Sequence, residues 1–333
     1  MNTKIIMNFK YFVLIFGFAC FLNCSERKVY GEENPEFYIQ RFDVDFYRYL
    51  THNELDATLN IYKQFLPVFG DDILGIGLPE EPHFFSKLKE YFSHPAIMDL
   101  YKVQQSEFQD ISLINKELSE GLDAFLQEFP SISKPRVYMH VSGWEQKVVV
   151  TDDVLSLSAD FYLGADYPRY QDYFYDYQLK NMNADRIVPD YLLGFMMANL
   201  PFSGNQEVLL DRILYEGKLV YILSRLLPDR QIWEYIGYTK EEYLWCSNNQ
   251  ERIWGLILEN QHLFTPNALI TSQYLKDAPH TAFLPNESPG KVGVWVGYQI
   301  IIAFMKHHPD VTLKELVDLT DYQKILKESR YKP

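Results

Sequence analysis

Three short segments, residues 136–141, 147–150 and 154–158, are β-branched or alternating, and they stand between two long stretches of helical periodicity. That arrangement constrains the fold most, because a sheet of so few strands can bury its faces only against helices. Ser142-Gly143 and Asp152-Asp153 separate the three segments, which are therefore predicted to be neighbouring strands of an antiparallel meander. Upstream, residues 37–46 alternate and predict a strand at their start, and helical spacing follows over 53–66, 84–92, 97–104 and 111–129. Downstream, helices are predicted over 188–199, 206–227, 240–260 and 292–308, with two shorter ones over 312–328. No internal repeat is apparent. The expected fold class is α+β, helix-rich, with a small sheet between helical blocks, within residues 36–333 as one domain or as two lobes, 36–185 and 186–333.

The first 23 residues read differently. Lys4 and Lys10 precede an apolar run, Tyr11 to Leu22, after which Asn23-Cys-Ser-Glu-Arg-Lys28 turns polar. This is the order of a signal peptide, and the run is short of the ~20 apolar residues that a spanning helix needs. Lipoprotein processing favours a bulky apolar residue three positions before the modified cysteine. Cys24 has Phe21 there and Cys20 has Gly17, so Cys24 is the expected lipidation site, with Cys20 the alternative. Residues 24–35 would then be a tether, and two or three acyl chains would anchor the chain stably. Cys246 is the one cysteine left in the globular part, so no internal disulfide is expected and a buried, inert thiol is.

Thirty-one basic against 45 acidic residues give a net charge of −14. Such a surface repels phosphate backbones, so nucleic acid is not an expected partner. Hydrophobic residues make up 47% of the chain, enough for a substantial core. Aromatic residues make up 16%, and many fall in residues 162–177. Two readings stay open for that stretch: tyrosines packed in the core with wet hydroxyls, or a sugar-stacking or protein-binding surface that includes Tyr170 and Tyr173. Asp160, Asp166, Asp172 and Asp176 lack calcium-loop spacing and are expected to be solvated.

In residues 288–305, Ser288 is the expected cap and Pro289 the first helical position, which places Gly293 and Gly297 on one face. Each glycine costs about 1 kcal/mol relative to alanine, so another element should approach closely there; a pocket wall beside Tyr298 is the alternative. In residues 209–221 a mid-helix Glu216-Gly217 invites two readings: a carboxylate paired with Lys or Arg, or a metal ligand. Other chemistries are poorly served. There is no Gly-x-Ser-x-Gly, Gly75-Ile-Gly77 lacks the third glycine of a dinucleotide loop, and Ser329 with Lys332 lacks companion motifs.

The order Arg41-Phe-Asp43, Val141-Ser-Gly143, Tyr162-Leu-Gly164, Glu216-Gly-Lys218, Trp245-Cys246, Ser288-Pro-Gly-Lys-Val-Gly293 and Ser329-Arg-Tyr-Lys-Pro333 resembles the gliding-motility lipoprotein B family (GldB) of Bacteroidetes over most of the chain. The resemblance implies a membrane-anchored role in the cell envelope, linked in gliding members to motility and secretion machinery. A more distant likeness, carried by Glu216-Gly217 and the glycine-rich helix behind it, is to zinc metallopeptidase-like (zincin-like) domains. In those, a His-Glu-x-x-His helix lies some 20 to 25 residues before the Glu ligand. The matching stretch, residues 191–199, holds neither His nor an acid, and no two of the eight histidines lie three or four apart. The likeness then implies a metallopeptidase-like scaffold without its metal, with Glu216, Gly217, Gly293, Gly297 and Tyr298 as remnants of a pocket.

The resulting expectation is a non-enzymatic envelope lipoprotein that binds protein partners, with no cofactor, no metal and no catalytic residues. A cell-surface hydrolase or glycan-binding lipoprotein is the alternative. Whether the inner or the outer membrane holds it is left open.

Overall fold

The computed structural model describes residues 37–52 and 61–333; Cys20, Cys24, the tether and the first eight residues of the helix expected over 53–66 lie outside them. Strand β1 (Ile39–Arg41) runs directly into helix α1 (Phe42–His52). The strand stops early because Phe42, Phe46 and Tyr49 are spaced for a helix and all are buried. Arg41 clamps Asp43 at this junction through Nε to Oδ1 at 2.8 Å and Nη2 to Oδ2 at 2.7 Å, and Gln104 donates to the same carboxylate at 2.8 Å. A buried acid satisfied on both oxygens fixes the angle at which the helix leaves the sheet.

Helices α2 (Phe84–Phe92), α3 (Pro95–Glu107) and α4 (Ser112–Glu128) follow, and strands β2 (Arg136–His140), β3 (Val148–Val150) and β4 (Val154–Ser158) lie where expected. Their pairing does not follow expectation. The order is β1-β2-β4-β3: β1 and β4 run parallel to β2, and only β3 with β4 forms an antiparallel hairpin. The hairpin closes through Thr151 N–H to Val154 O at 2.9 Å, whereas the 141–147 connection is long enough to carry the chain past β4's place. The alternation of Val154-Leu-Ser-Leu-Ser158 suggests one wet face, yet every residue of β4 is buried. Its serines serve an internal polar layer, with Ser156 Oγ 2.7 Å from His140 Nδ1 and the Ser158 and Ser142 hydroxyls hydrogen-bonded at 2.8 Å. Burial on both faces is the usual state of parallel strands.

Helix α5 (Ile187–Asn199) packs across β3 and β4, and its Tyr191 hydroxyl donates to Tyr138 O of β2 at 2.5 Å. The remaining helices are α6 (Leu209–Leu226), α7 (Lys240–Asn248), α8 (Gln250–Glu259), α9 (Ala268–Leu275), α10 (Val292–His307), α11 (Leu313–Asp318) and α12 (Tyr322–Ser329). The single helix expected over 240–260 is broken at Asn249. Ser288 and Pro289 do not start α10. The helix begins at Val292 after a left-handed Lys291, and its Val292 N–H donates to Thr281 Oγ1 at 3.3 Å, a hydroxyl eleven residues upstream. The described residues form one compact unit. No helix among the described residues is long and apolar enough to cross a membrane.

Candidate functional site

The glycines singled out in the sequence are used where α6 and α10 cross. A Cβ on Gly297 would overlap the Ile213 carbonyl, a Cβ on Gly217 would overlap the Gly297 backbone, and one on Gly293 would lie 2.9 Å from Tyr274 O. Gly217, Gly293 and Gly297 thus let backbones touch and do not wall a pocket. Tyr298, beside them, is buried, and burial pushes its hydroxyl up to about 12.

Glu216 sits one residue from the crossing and faces a groove of about 360 Å³ with Gln206, Arg212, Thr271, Ser272 and Lys276. Arg212 Nη2 pairs with its Oε1 at 2.9 Å. Burial raises the Glu216 pKa, and Arg212 and Lys291 partly offset it. None of the groove's lining residues comes from α5, which carries the 191–199 stretch. Among the described residues no three His, Cys, Asp or Glu side chains converge as metal ligands would. Glu216 is paired with Arg212, the first of the two readings its sequence position invited.

Other sequence candidates are occupied in the core. Cys246 is fully buried, and burial pushes its thiol up to about 12. Ser329 is buried and its hydroxyl donates to Leu326 O at 2.7 Å. Lys218, which sequence reasoning passed over, is buried with its ammonium donating to the carbonyl of Leu319; burial pulls it down to about 8.

The aromatic stretch singled out in the sequence packs against a loop beyond the ends of β2 and β4. Asp160 is not solvated as expected but fully buried. Its carboxylate accepts from the Ser158 hydroxyl, from Trp144 N–H at 2.9 Å and from Ser142 N–H at 3.3 Å, while burial raises its pKa. These bonds hold Gly143 at φ 74° and Trp144 at φ 69°. The left-handed region costs an ordinary residue about 1–2 kcal/mol, so the loop needs the anchor. Trp144 Nε1 also donates to Asp160 O at 2.9 Å, and the Tyr170 hydroxyl donates to the same oxygen at 2.6 Å.

The held indole packs on a tyrosine-rich segment of two single-turn helices, Tyr170–Tyr173 and Asp176–Leu179. Its ring lies 5.0 Å from Tyr173 and 5.6 Å from Phe174. Tyr170 is wholly buried and cannot stack on a ligand, whereas Tyr173 is 69% and Tyr175 71% exposed. Tyr175 stacks on Tyr177 at 5.7 Å with 9° between the planes. The result is an aromatic segment, anchored at Trp144, that presents Tyr173 and Tyr175 to solvent.

The family model described as gliding motility protein GldB matches residues 24–333. The chain belongs to that family. Membership makes it a gliding-motility-associated lipoprotein of the cell envelope. No curated protein and no solved structure matches the chain. Within this GldB chain the motifs have separate physical jobs: Arg41-Phe-Asp43 sets the first strand-to-helix angle, Val141-Ser-Gly143 leads into the Asp160-anchored loop, and Glu216-Gly-Lys218 lies along the α6–α10 crossing.

Proposed function

We propose that the chain is a non-enzymatic docking protein of the envelope, tethered by lipid on Cys24 and engaging protein partners through the aromatic face of Trp144, Tyr173 and Tyr175. One observation carries this reading: a tryptophan held in a left-handed conformation by a buried carboxylate packs against Tyr173, and Tyr173 and Tyr175 beside it are mostly exposed. Large exposed aromatics are costly in water and are the residues that dominate protein interfaces. Strain kept by a buried anchor argues that the shape is used. The family match beginning at residue 24 supports Cys24 as the lipidated residue.

The finer descent from a metallopeptidase-like domain belongs to the same proposal. It rests on the sequence likeness carried by Glu216-Gly217 and the glycine-rich helix α10. In this chain α5 offers no imidazole, and Glu216 pairs with Arg212. The test is co-purification of the lipoprotein with envelope proteins from detergent-solubilised membranes, comparing the native chain with Tyr173→Ser/Tyr175→Ser. The native chain should retain a defined partner and the variant should lose it at unchanged thermal midpoint. Stoichiometric zinc together with peptide hydrolysis abolished by Glu216→Ala would overturn the non-enzymatic reading.

A further inference from the structure

We infer that the segment docking on this face is cationic: an arginine-bearing stretch of another envelope protein whose guanidinium groups stack on the exposed tyrosines. The inference rests on the docking reading above and adds the chemistry of the occupant. Glu145 adjoins Trp144, Asp172 lies in the same helical turn as Tyr173, and Asp176 separates Tyr175 from Tyr177; all three carboxylates are exposed. None of them forms an ion pair among the described residues. The nearby cations are already engaged, Lys180 with Glu242 at 2.6 Å and Arg169 with Asp99 at 3.6 Å. Three exposed, unpaired carboxylates beside these aromatics in sequence, on a chain of net charge −14, favour a cation over a neutral sugar or an anionic headgroup.

The fold uses the same chemistry internally. Lys147 sits 4.9 Å from the Tyr162 ring centroid, Lys218 5.0 Å from Tyr322 and Arg212 4.7 Å from Phe202. Tyr173 and Tyr175, the two most exposed tyrosines among the described residues, have no such cation there, and neither does the half-buried Trp144. Tyr175, stacked on Tyr177 yet largely exposed, offers a flat ring, which suits a planar guanidinium better than a compact ammonium.

The test uses the full lipoprotein in nanodiscs of zwitterionic lipid, titrated with fluorescent peptides of one length built from Arg-Gly, Lys-Gly or Glu-Gly repeats. The arginine peptide should bind tightest and the glutamate peptide should not bind. Tyr173→Ser/Tyr175→Ser should weaken the arginine peptide at least about tenfold, the scale of losing two stacked cation–π contacts. Glu145→Gln/Asp172→Asn/Asp176→Asn should weaken it and flatten its salt dependence. Equal binding by all variants would mean diffuse attraction to an acidic surface and would overturn the inference. If no basic peptide binds while a photo-cross-linker at position 175 still captures an envelope protein, the cationic occupant is wrong and the docking face stands; if both fail, both readings fall.

Discussion

The carboxylate of Asp160 accepts the backbone N–H of Trp144 at 2.9 Å, and the indole N–H of Trp144 returns a bond of the same length to the Asp160 carbonyl. The two residues, sixteen apart in sequence, close a loop that neither could hold alone. Asp160→Ala strands the Ser142 and Trp144 amides and the Ser158 hydroxyl. Leaving such buried donors unmet costs about 1–3 kcal/mol each. Chemical denaturation should show a loss of several kcal/mol at most, and amide exchange at Trp144 should quicken more than at α10.

The α6–α10 crossing gives a contrast within one residue type. Gly297→Ala must push the two backbones apart and should destabilise by about 3 kcal/mol or more, on the scale of core overpacking. Gly255→Ala, in α8 with nothing within 4 Å of the new methyl, should stabilise by about 0.5–1 kcal/mol. Thermal midpoints that move alike for both would contradict the packing described.

His140 is fully buried, and burial lowers its pKa from 6.5 to about 3. Between those values the unfolded chain binds a proton that the folded chain does not. Stability contributed by the neutral imidazole is therefore present above pH 6.5 and is lost as the pH falls towards 3, at up to about 1.4 kcal/mol per pH unit. His140→Gln should remove that component of the slope in denaturation curves at pH 4–7, while carboxylate contributions remain in both proteins.

The anchor makes a cellular prediction. Cys24→Ala should abolish incorporation of labelled palmitate and release the chain from membranes, whereas Cys20→Ala should leave both unchanged; the reverse pattern would identify Cys20 as the lipidated residue.

Much of the helical scaffold was legible because its apolar positions repeat at helical spacing, as Phe84, Leu88 and Phe92 do in α2. Strand positions were legible too, but not their order, since the place of β4 between β2 and β3 depends on how the 141–147 connection runs in space. At Ser156 and Ser158 the alternating polar residues mark an internal layer, which alternation alone does not distinguish from a wet face. The helix start at Val292 escaped because its cap comes from Thr281, outside any local window. Of the site, composition identified the aromatic stretch. It could not separate buried Tyr170 from exposed Tyr173, nor show that Asp160 is an internal anchor, because both depend on where Trp144 folds back.

The most direct measurement is site-specific photo-cross-linking in intact cells with benzoylphenylalanine at position 175, compared with position 113, where Leu113 is 82% exposed at the start of α4. The docking account expects one discrete cross-linked envelope protein from position 175 and none from 113. Cross-links from both positions, or from neither, would contradict it.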